Sequence, residues 1–196
     1  MEKWALIIGG SSGMGLATSQ KLSKNGFNLI IIHRDRRSLI PAFNEHLNEI
    51  KKTGQKVISF NVDGTNKEKI NETLEFIIAQ VPNLSFDLIL HAISRGNLKP
   101  FVSEDDQPTL TAQDIALTID AMSTNALIWV QELKKHDLLK KGSQLITLTS
   151  AGSARYWKGY GAVAMAKSSL EILSKYLAVE LAPFGVRVNC INAGIT

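Results

Sequence analysis

The chain lacks the features that would mark a secreted or membrane-spanning protein. Its 196 residues contain a single cysteine, Cys190, so no internal disulfide can form and we expect a reducing cytoplasm as its location. The first apolar run, WALII at 4–8, is too short for a signal-peptide core or a membrane span and is typical of a buried strand. We therefore expect no membrane partner.

Charge of either sign is also modest, at 20% of residues, and the formal net charge is +4. Lysine pairs at 51–52, 134–135 and 140–141 are typical of solvated helix ends, whereas HRDRR at 33–37 forms a denser basic cluster. The sequence shows neither zinc-ligand spacing nor interleaved aromatic and basic residues, so we expect no metal ion and no nucleic acid.

What the sequence does contain is a series of short apolar runs that alternate with segments of helical period. Six runs are apolar almost throughout, as expected for strands covered on both faces. They are WALIIG (4–9), NLIIIH (28–33), KVISFN (56–61), FDLILH (86–91), SQLITLT (143–149) and VRVNCI (186–191). Helices are predicted at 38–54, 67–80, 111–137 and 160–182. This alternation predicts an α/β fold, a Rossmann-like doubly wound parallel sheet in three α/β/α layers, forming one domain over residues 1–196.

The chain ends unusually close to its last predicted strand. NAGIT at 192–196 follows that strand directly, so the loop that should leave it is absent. We therefore expect that a C-terminal part of the domain is missing, and we would not expect activity from a protein that ended at Thr196.

A glycine-rich segment, GGSSGMG at 9–15, lies between the first predicted strand and the first helix. Its glycines permit a tight turn, backbone N–H groups can approach a pyrophosphate there, and the helix N-terminus adds its positive dipole end. A glycine cluster alone would also fit an ordinary turn, but the strand-loop-helix context favours a dinucleotide site. The predicted cofactor residues here are Gly9, Ser11, Ser12, Gly13, Met14 and Gly15.

The end of the second strand bears on the choice between NAD and NADP. Proteins of this fold that bind NAD often place an acidic residue there to hold the ribose 2′-hydroxyl, but His33 and Arg34 stand there and Asp35 comes slightly late. Arg34, Arg36 and Arg37 could instead pair with a 2′-phosphate, so the sequence favours NADPH, with NADH as the alternative. The arginines could also simply begin a solvated helix.

The third and fourth strands end in segments that should meet the same ligand. NVD at 61–63 could contact the adenine ring, and HAIS at 91–94 ends at the carboxyl edge of the sheet, where ligands bind in this fold. His91 is interpreted as a structural histidine in preference to a catalytic base. The predicted cofactor residues from these segments are Asn61, Val62, Asp63, Ala92 and Ile93.

Ser150, Tyr160 and Lys167 form a candidate chemical group at and after the fifth strand. Seven residues are nearly two helical turns, so Tyr160 and Lys167 should share a face of the predicted helix. A tyrosine with a pKa near 10 is a poor acid at neutral pH, and a nearby ammonium would lower that pKa. Lys167 could do this and also bond a nicotinamide ribose. Each residue type is common alone, but the set beside a glycine loop indicates an active site.

These residues resemble the short-chain dehydrogenase/reductase superfamily over essentially the whole chain. GGSSGMG is similar to its cofactor loop, although Ile8 stands where threonine is frequent, and Ser150 precedes Lys167 by the superfamily's seventeen positions. VRVNCINAG resembles the segment before the nicotinamide-side loop. Asn125, within STNALIW, matches the asparagine that helps hold the proton-relay water, so the resemblance implies that role here.

The spacing within YGAVAMAK at 160–167 narrows the resemblance. Tyr-x6-Lys, in place of Tyr-x3-Lys, is similar to the enoyl-acyl-carrier-protein reductases, and HAIS is closer to their His-Ser-Ile-Gly segment than to Asn-Asn-Ala-Gly. Serine at 150 and Asn61-Val62 resemble their NADPH-using branch. The resemblance implies NADPH-dependent reduction of an enoyl thioester, with Tyr160 stabilising the enolate oxygen. Tyr156 is the competing tyrosine and is interpreted as pocket-lining.

The resemblance also implies partners, and two other functions stay open. The implied substrate is an acyl thioester, for which the resemblance allows an acyl carrier protein as the carrier. Such carriers are usually acidic, which would suit the surplus of lysine in this chain. The implied assembly is a homodimer or homotetramer in which the 111–137 and 160–182 helices pair, although the leucines of the second helix equally fit an internal core. The alternatives are a reductase of ketones or 3-oxoacyl and polyketide thioesters, and a non-catalytic NADP-binding regulator.

Overall fold

The computed structural model describes residues 2–104 and 107–194. Along these residues, six strands alternate with α-helices. The strands are β1 (Lys3–Ile8), β2 (Phe27–His33), β3 (Val57–Asn61), β4 (Phe86–His91), β5 (Leu139–Thr149) and β6 (Arg187–Asn192). The α-helices are α1 (Gly13–Lys24), α2 (Ile40–Lys51), α3 (Lys67–Gln80), α4 (Ala112–Ile119), α5 (Asn125–Lys135) and α6 (Gly161–Leu181).

The strands form one parallel sheet in the order β3-β2-β1-β4-β5-β6. The chain reverses its direction of winding between β1 and β4, which are neighbours although β2 and β3 lie between them in sequence. In open α/β sheets a crevice forms outside the carboxyl ends of the strands at such a point. The sheet therefore confirms the predicted doubly wound fold and places such a crevice between β1 and β4.

Helices cover both faces of the sheet, and successive side chains of β1 pack alternately on one face and the other. Trp4, Leu6 and Ile8 pack on one face with residues from α3, α5 and α6. Ala5 and Ile7 point to the other face, where they pack with residues of α1 and α2. Burying a large aliphatic side chain contributes about 1.5–3 kcal/mol, so a strand that is apolar at every position is stable only between two helical layers.

The predicted single helix over 111–137 is wrong, because the structure divides it. α4 begins with a capping box between Thr111 and Asp114, and a π-helical turn, Asp120–Thr124, separates it from α5. In this turn the N–H of Asn125 bonds the carbonyl of Asp120, one residue further back than in an α-helix. The extra residue rotates α5, and both Asn125 and Trp129 then donate to the carbonyl of Gly64. Hydrophobic period does not reveal such a turn.

The remaining helices start and end close to where the sequence places them. α6 occupies the predicted 160–182 segment, except that Tyr160 lies immediately before the first helical residue instead of inside the first turn. Within the part of the chain that the structure describes, no helix combines the length and the apolar character needed to cross a bilayer.

Candidate active site

A large cavity of about 1040 Å³ lies at the carboxyl edge of the sheet, at the reversal point between β1 and β4. Its walls come from the β1–α1 loop and from the segments that follow β2, β3 and β4. The predicted cofactor residues that line it are Gly9, Ser11, Ser12, Gly13, Met14, Gly15, Arg34, Val62, Asp63, Ala92 and Ile93. The structure thus brings together residues from four separate stretches of sequence.

The glycine loop is shaped by close backbone contacts. Gly9 has φ +89°, and a β-carbon there would come within 3.0 Å of the Ala92 carbonyl group. A β-carbon on Gly15 would lie 2.0 Å from the carbonyl oxygen of Gly9, so only glycine allows the helix to start this close to the strand. Ser12, which precedes α1, makes no side-chain capping bond, and the first turn carries no acidic residue. The free N–H groups and the dipole of α1 therefore suit an anionic pyrophosphate.

Asp35 is more central to this cavity than its position in the sequence suggests. Its carboxylate accepts a hydrogen bond from the Ser11 hydroxyl at 3.0 Å and another from His33 Nδ1 at 2.8 Å. Its backbone is held by the Asn61 side chain through bonds of 2.9 and 3.1 Å. Burial lowers the pKa of His33 against the opposing effect of Asp35, so the ring is neutral and its Nδ1–H donates.

This arrangement gives Asp35 and Asn61 different places from those expected from the sequence. Asp35, set aside as lying slightly late, lines the cavity and joins the glycine loop to the end of β2. Asn61, predicted to contact the cofactor, is not a lining residue of the cavity, because its side chain is used on the backbone of Asp35. Its contribution in the structure is to fix the β2–α2 loop.

Of the three arginines expected near a 2′-phosphate, Arg34 and Arg36 line the large cavity after β2, whereas Arg37 does not. Arg34 pairs with Asp63 at 2.7 Å, and both side chains remain partly exposed. Burial alone would raise the pKa of Asp63, but hydrogen bonds from Thr65 and the charges of Arg34 and Arg95 outweigh burial and lower it. Arg36 and Arg95 also line the cavity, so three arginines face two aspartates there.

A buried polar network lies beneath the floor of the cavity. His91 Nε2 contacts Asn125 Oδ1 at 3.0 Å, while Asn125 Nδ2 and Trp129 Nε1 donate to the Gly64 carbonyl at 2.8 and 2.9 Å. Burial lowers the pKa of His91 to about 4, a hydrogen bond to Asn125 opposes this, and the charge of Lys167 adds to the lowering. His91 is therefore neutral near pH 7 and donates, in keeping with a structural histidine.

A smaller cavity of about 260 Å³ adjoins the large one through shared lining residues. It is lined by Met14, Ala92, Ser94, Leu148, Thr149, Ser150, Trp157, Tyr160, Lys167, Ala193 and Gly194. The Ser150 and Tyr160 hydroxyl oxygens are 3.1 Å apart across it. Ser150, Tyr160 and Lys167, which the sequence predicted to act together, therefore share one cavity next to the large one.

Tyr160 is held by its neighbours as well as by α6. The Trp157 ring packs edge-on against it with centroids 5.1 Å apart. A β-carbon on Gly152 would lie 2.3 Å from the tyrosine ring, so glycine leaves the space that the ring fills. The interpretation of Tyr156 as pocket-lining is wrong: its side chain is 88% exposed and it is absent from the lining of the cavity. The next residue, Trp157, lines the cavity instead.

Lys167 is buried with its ammonium directed to the strand end. Nζ donates to the Leu148 carbonyl at 2.7 Å, and the residue is 7% exposed. Burial lowers the pKa of Lys167, and the nearby Cys190 acts in the opposite direction. An ammonium has three donors, so two can serve hydroxyl groups of a bound ribose. In the structure the Tyr160 hydroxyl contacts the Ser150 hydroxyl, and the Lys167 ammonium donates to the Leu148 carbonyl. The expected effect of Lys167 on the acidity of Tyr160 therefore stays a prediction.

Asn125 lies apart from these three residues. It is 1% exposed and its side chain is used on His91 and Gly64, so its side chain lines neither cavity. Its role in holding a relay water stays a prediction. What the structure adds is lining residues that the sequence analysis did not identify, chiefly Trp157 and Arg95. Only Trp157 carried a signal, as an aromatic residue three positions before the candidate tyrosine.

Comparison with known proteins agrees with this geometry. A family model described as enoyl-(acyl carrier protein) reductase matches residues 9–196. The enoyl-acyl-carrier-protein reductase (NADH) FabI of Bacillus cereus is 33% identical over 141 residues, which cover 72% of this chain and 53% of that protein. The enoyl-acyl-carrier-protein reductase (NADPH) FabI of Staphylococcus aureus is 28% identical over 193 residues, which cover 95% and 70%.

A 3-oxoacyl-acyl-carrier-protein reductase structure from Brucella melitensis matches with a TM-score of 0.82 at 20% identity, covering 100% of this chain and 76% of that one. This likeness shows the fold. The chain therefore spans between about half and three quarters of the proteins that it matches here. Because the family model covers nearly all of the sequence, the chain belongs to the short-chain dehydrogenase/reductase superfamily of NAD(P)H-dependent oxidoreductases, close to its enoyl-acyl-carrier-protein reductases.

Proposed function

We propose that this protein reduces the enoyl double bond of an acyl thioester with NADPH. The observation that carries the proposal is the position of Ser150, Tyr160 and Lys167 in one cavity that adjoins the dinucleotide cavity, with Tyr160 seven residues before Lys167. The similarity to enoyl-acyl-carrier-protein reductases supports the same reaction.

The glycine loop, the α1 N-terminus and Lys167 would hold the dinucleotide, which supplies a hydride when bound. When hydride reaches the β-carbon of the enoyl thioester, negative charge develops on the thioester oxygen. The Tyr160 hydroxyl would donate a hydrogen bond to that oxygen and stabilise the charge, and the α-carbon of the enolate would then take a proton from solvent to give the saturated thioester. Ser150, whose hydroxyl lies 3.1 Å from that of Tyr160, would hold the tyrosine in its donating orientation.

The spacing of Tyr160 and Lys167 gives the chemical reason to prefer an enoyl substrate. In ketone reduction the hydride and the proton go to adjacent atoms, the carbonyl carbon and its oxygen. In enoyl thioester reduction the charged oxygen is several bonds from the β-carbon. A donor moved along the chain relative to the ribose-binding lysine can meet the displaced oxygen, because stabilisation requires a donor about 3 Å from the developing charge.

The charged residues that line the large cavity after β2 support NADPH over NADH as the cofactor. Arg34 and Arg36 line the cavity after β2, where a 2′-phosphate would lie. Asp35, the acidic residue nearby, has each carboxylate oxygen engaged by Ser11 or His33. Arginine can bond a phosphate through two N–H groups, so a 2′-phosphate could displace Asp63 from its pair with Arg34.

The proposed assembly is a homodimer or homotetramer formed through α6. Its leucines Leu170, Leu177 and Leu181 are buried within the chain itself, so the proposed interface does not use them. The opposite side of α6 exposes large apolar side chains at Met165, Ile172, Tyr176 and Val179. An apolar stripe at helical spacing, left in solvent, is typical of a protein interface.

An acyl carrier protein is proposed as the carrier of the substrate.

The decisive experiment follows NADPH oxidation by its ultraviolet absorbance, with crotonyl and acetoacetyl thioesters supplied in parallel to the complete protein. We expect oxidation with the crotonyl thioester. Oxidation with the acetoacetyl thioester alone would replace the proposal with a 3-oxoacyl reductase. Tight NADPH binding without turnover on either would indicate a regulator.

A further inference from the structure

α6 carries a carboxylate that the proposed reaction does not use. Glu171 lies one turn after Lys167 on this helix. Its Oε1 accepts a hydrogen bond from the Thr149 hydroxyl at 2.5 Å and another from the Ser153 hydroxyl at 2.7 Å. These two donors flank Ser150, one at the end of β5 and the other at the end of the short 3₁₀ turn, Ala151–Ser153, that follows.

The two bonds clamp the segment that carries Ser150. Ser153 Oγ also lies 3.0 Å from the Ser150 carbonyl oxygen, so its single proton is shared, with the shorter contact to Glu171. Thr149 is 6% exposed, and its hydroxyl has little access to water as an alternative partner. Hydrogen bonds to an ionised acceptor are roughly twice as strong as neutral ones, so this clamp is a firm connection between the turn and α6.

The direction of the Glu171 side chain indicates that this connection is its role. Lys175 lies four residues further along α6, a spacing that favours an ion pair with glutamate. Among the described residues, however, Glu171 forms no ion pair, and its carboxylate is directed to the two hydroxyls at the sheet edge. A solvated surface glutamate would have no reason to adopt this geometry.

We infer that Glu171 is a positioning residue that ties the Ser150 turn to the helix whose N-terminus bears Tyr160, and so sets the 3.1 Å contact between the Ser150 and Tyr160 hydroxyls. The catalytic meaning of that contact rests on the proposed function, whereas the geometric effect does not. Glu171 itself touches neither cavity, so it acts through Ser150.

The test compares Glu171→Ala with Glu171→Gln and with Glu180→Ala, which removes an exposed glutamate from the same helix. Crystal structures of the three variants report the Ser150–Tyr160 distance. We expect it to lengthen in Glu171→Ala alone, because the glutamine side-chain oxygen still accepts both hydroxyl bonds. Misplacement of a reacting group by about 1 Å can cost about 100-fold, so kcat should fall by up to that factor in Glu171→Ala.

Two further readouts separate positioning from a general structural effect. The KM for NADPH should stay within about twofold in Glu171→Ala, because the clamp lies outside the dinucleotide cavity. In a Ser150→Ala background, Glu171→Ala should lower kcat little further, because both changes act on the same contact between Ser150 and Tyr160. If Glu171→Ala does not fold, Thr149→Val and Ser153→Ala each remove one bond and should each give a smaller loss of kcat.

The inference is overturned if Glu171→Ala keeps both the distance and kcat, if Glu171→Gln fails to restore them, or if kcat and cofactor affinity fall together. Failure of the wild-type protein to reduce any thioester would contradict the proposed function instead. The crystallographic distance would then still decide whether Glu171 positions Ser150.

Discussion

The hydroxyl oxygens of Ser150 and Tyr160 lie 3.1 Å apart, although the two residues belong to different elements of the fold. Ser150 follows the end of β5, and Tyr160 stands just before α6. The sheet edge and the helix therefore meet at this contact, beside the cavity that the predicted dinucleotide residues line. The proposed reaction depends on this contact and on the residues that hold Ser150 and Tyr160 in place.

Replacing Tyr160 by phenylalanine should abolish most of the reductase activity. The change removes the proposed donor to the developing thioester oxyanion and keeps the ring that packs on Trp157. Loss of one oxyanion donor costs about 10²–10³ in kcat, and the Kd for NADPH should not change. Steady-state kinetics and cofactor fluorescence measure the two quantities.

The matched control for that variant is Tyr156→Phe, which removes a hydroxyl from an exposed tyrosine four positions earlier. It should leave kcat unchanged. Intact enoyl reduction in Tyr160→Phe, or an equal loss in both variants, would contradict the role given to Tyr160.

Replacing Arg34 by alanine should lower the preference for NADPH over NADH. Arg34 lines the cavity after β2, whereas Arg37, three positions further on, does not. A charge-assisted hydrogen bond contributes about 1.5–3 kcal/mol, so kcat/KM for NADPH should fall by about 10- to 100-fold with little change for NADH. Arg37→Ala is the control and should leave the ratio unaltered. If Arg34→Ala affects both cofactors equally, the arginine does not read the 2′-phosphate.

The contact between Gly15 and Gly9 predicts that Gly15→Ala destroys the cofactor loop. The new β-carbon would lie 2.0 Å from the Gly9 carbonyl oxygen, so the backbone must shift. We expect loss of measurable NADPH binding by calorimetry and a lower unfolding temperature. Gly26→Ala provides the comparison, because Gly26 has φ +81° but open space around it. That variant should cost about 1–2 kcal/mol of stability from left-handed backbone strain and should still bind NADPH.

The burial of His91 predicts a pH dependence of stability. Its pKa falls from 6.5 when the chain is unfolded to about 4 in the folded protein, so between these values the unfolded chain binds a proton that the folded chain does not. The free energy of unfolding should therefore fall as the pH falls through this window, by up to about 3 kcal/mol from this residue.

Urea denaturation between pH 7 and about 4.5 measures this effect. His91→Gln should flatten the dependence, since an amide can still donate to Asn125 and does not titrate over this range. His33, whose pKa is also lowered, will leave a residual slope. An unchanged slope in His91→Gln would show that other groups determine the acid sensitivity of the protein.

The sequence was sufficient for the fold and for bringing together much of the candidate site, because those signals are local. The glycine loop is recognisable as GGSSGMG between an apolar run and a helix, and Tyr160 and Lys167 lie on one short stretch. Each depends on spacing along the chain. Parallel strands then bring their carboxyl ends to one edge whatever the details of packing.

What the sequence could not provide depends on contacts between distant segments. Asp35 accepts a hydrogen bond from Ser11 on another loop, and Glu171 accepts one from Thr149 on another element. Asn125 shows the converse, because its motif matches the superfamily while its side chain is used on His91 and Gly64. The π-helical turn before Asn125 has no hydrophobic signature, so its effect on α5 appears only in the structure.

The exposed apolar stripe on α6 predicts that a charge placed there disrupts the proposed assembly. Val179 is 74% exposed, so Val179→Glu costs the isolated chain little, but a carboxylate buried in an interface without a partner is strongly unfavourable. We expect sedimentation or light scattering to show a smaller species than for the wild type. Leu39→Glu, at a 54% exposed leucine beside α2 on the other face of the sheet, should leave the mass unchanged. If the wild-type protein is monomeric, or if both variants keep its mass, the α6 stripe is not the interface.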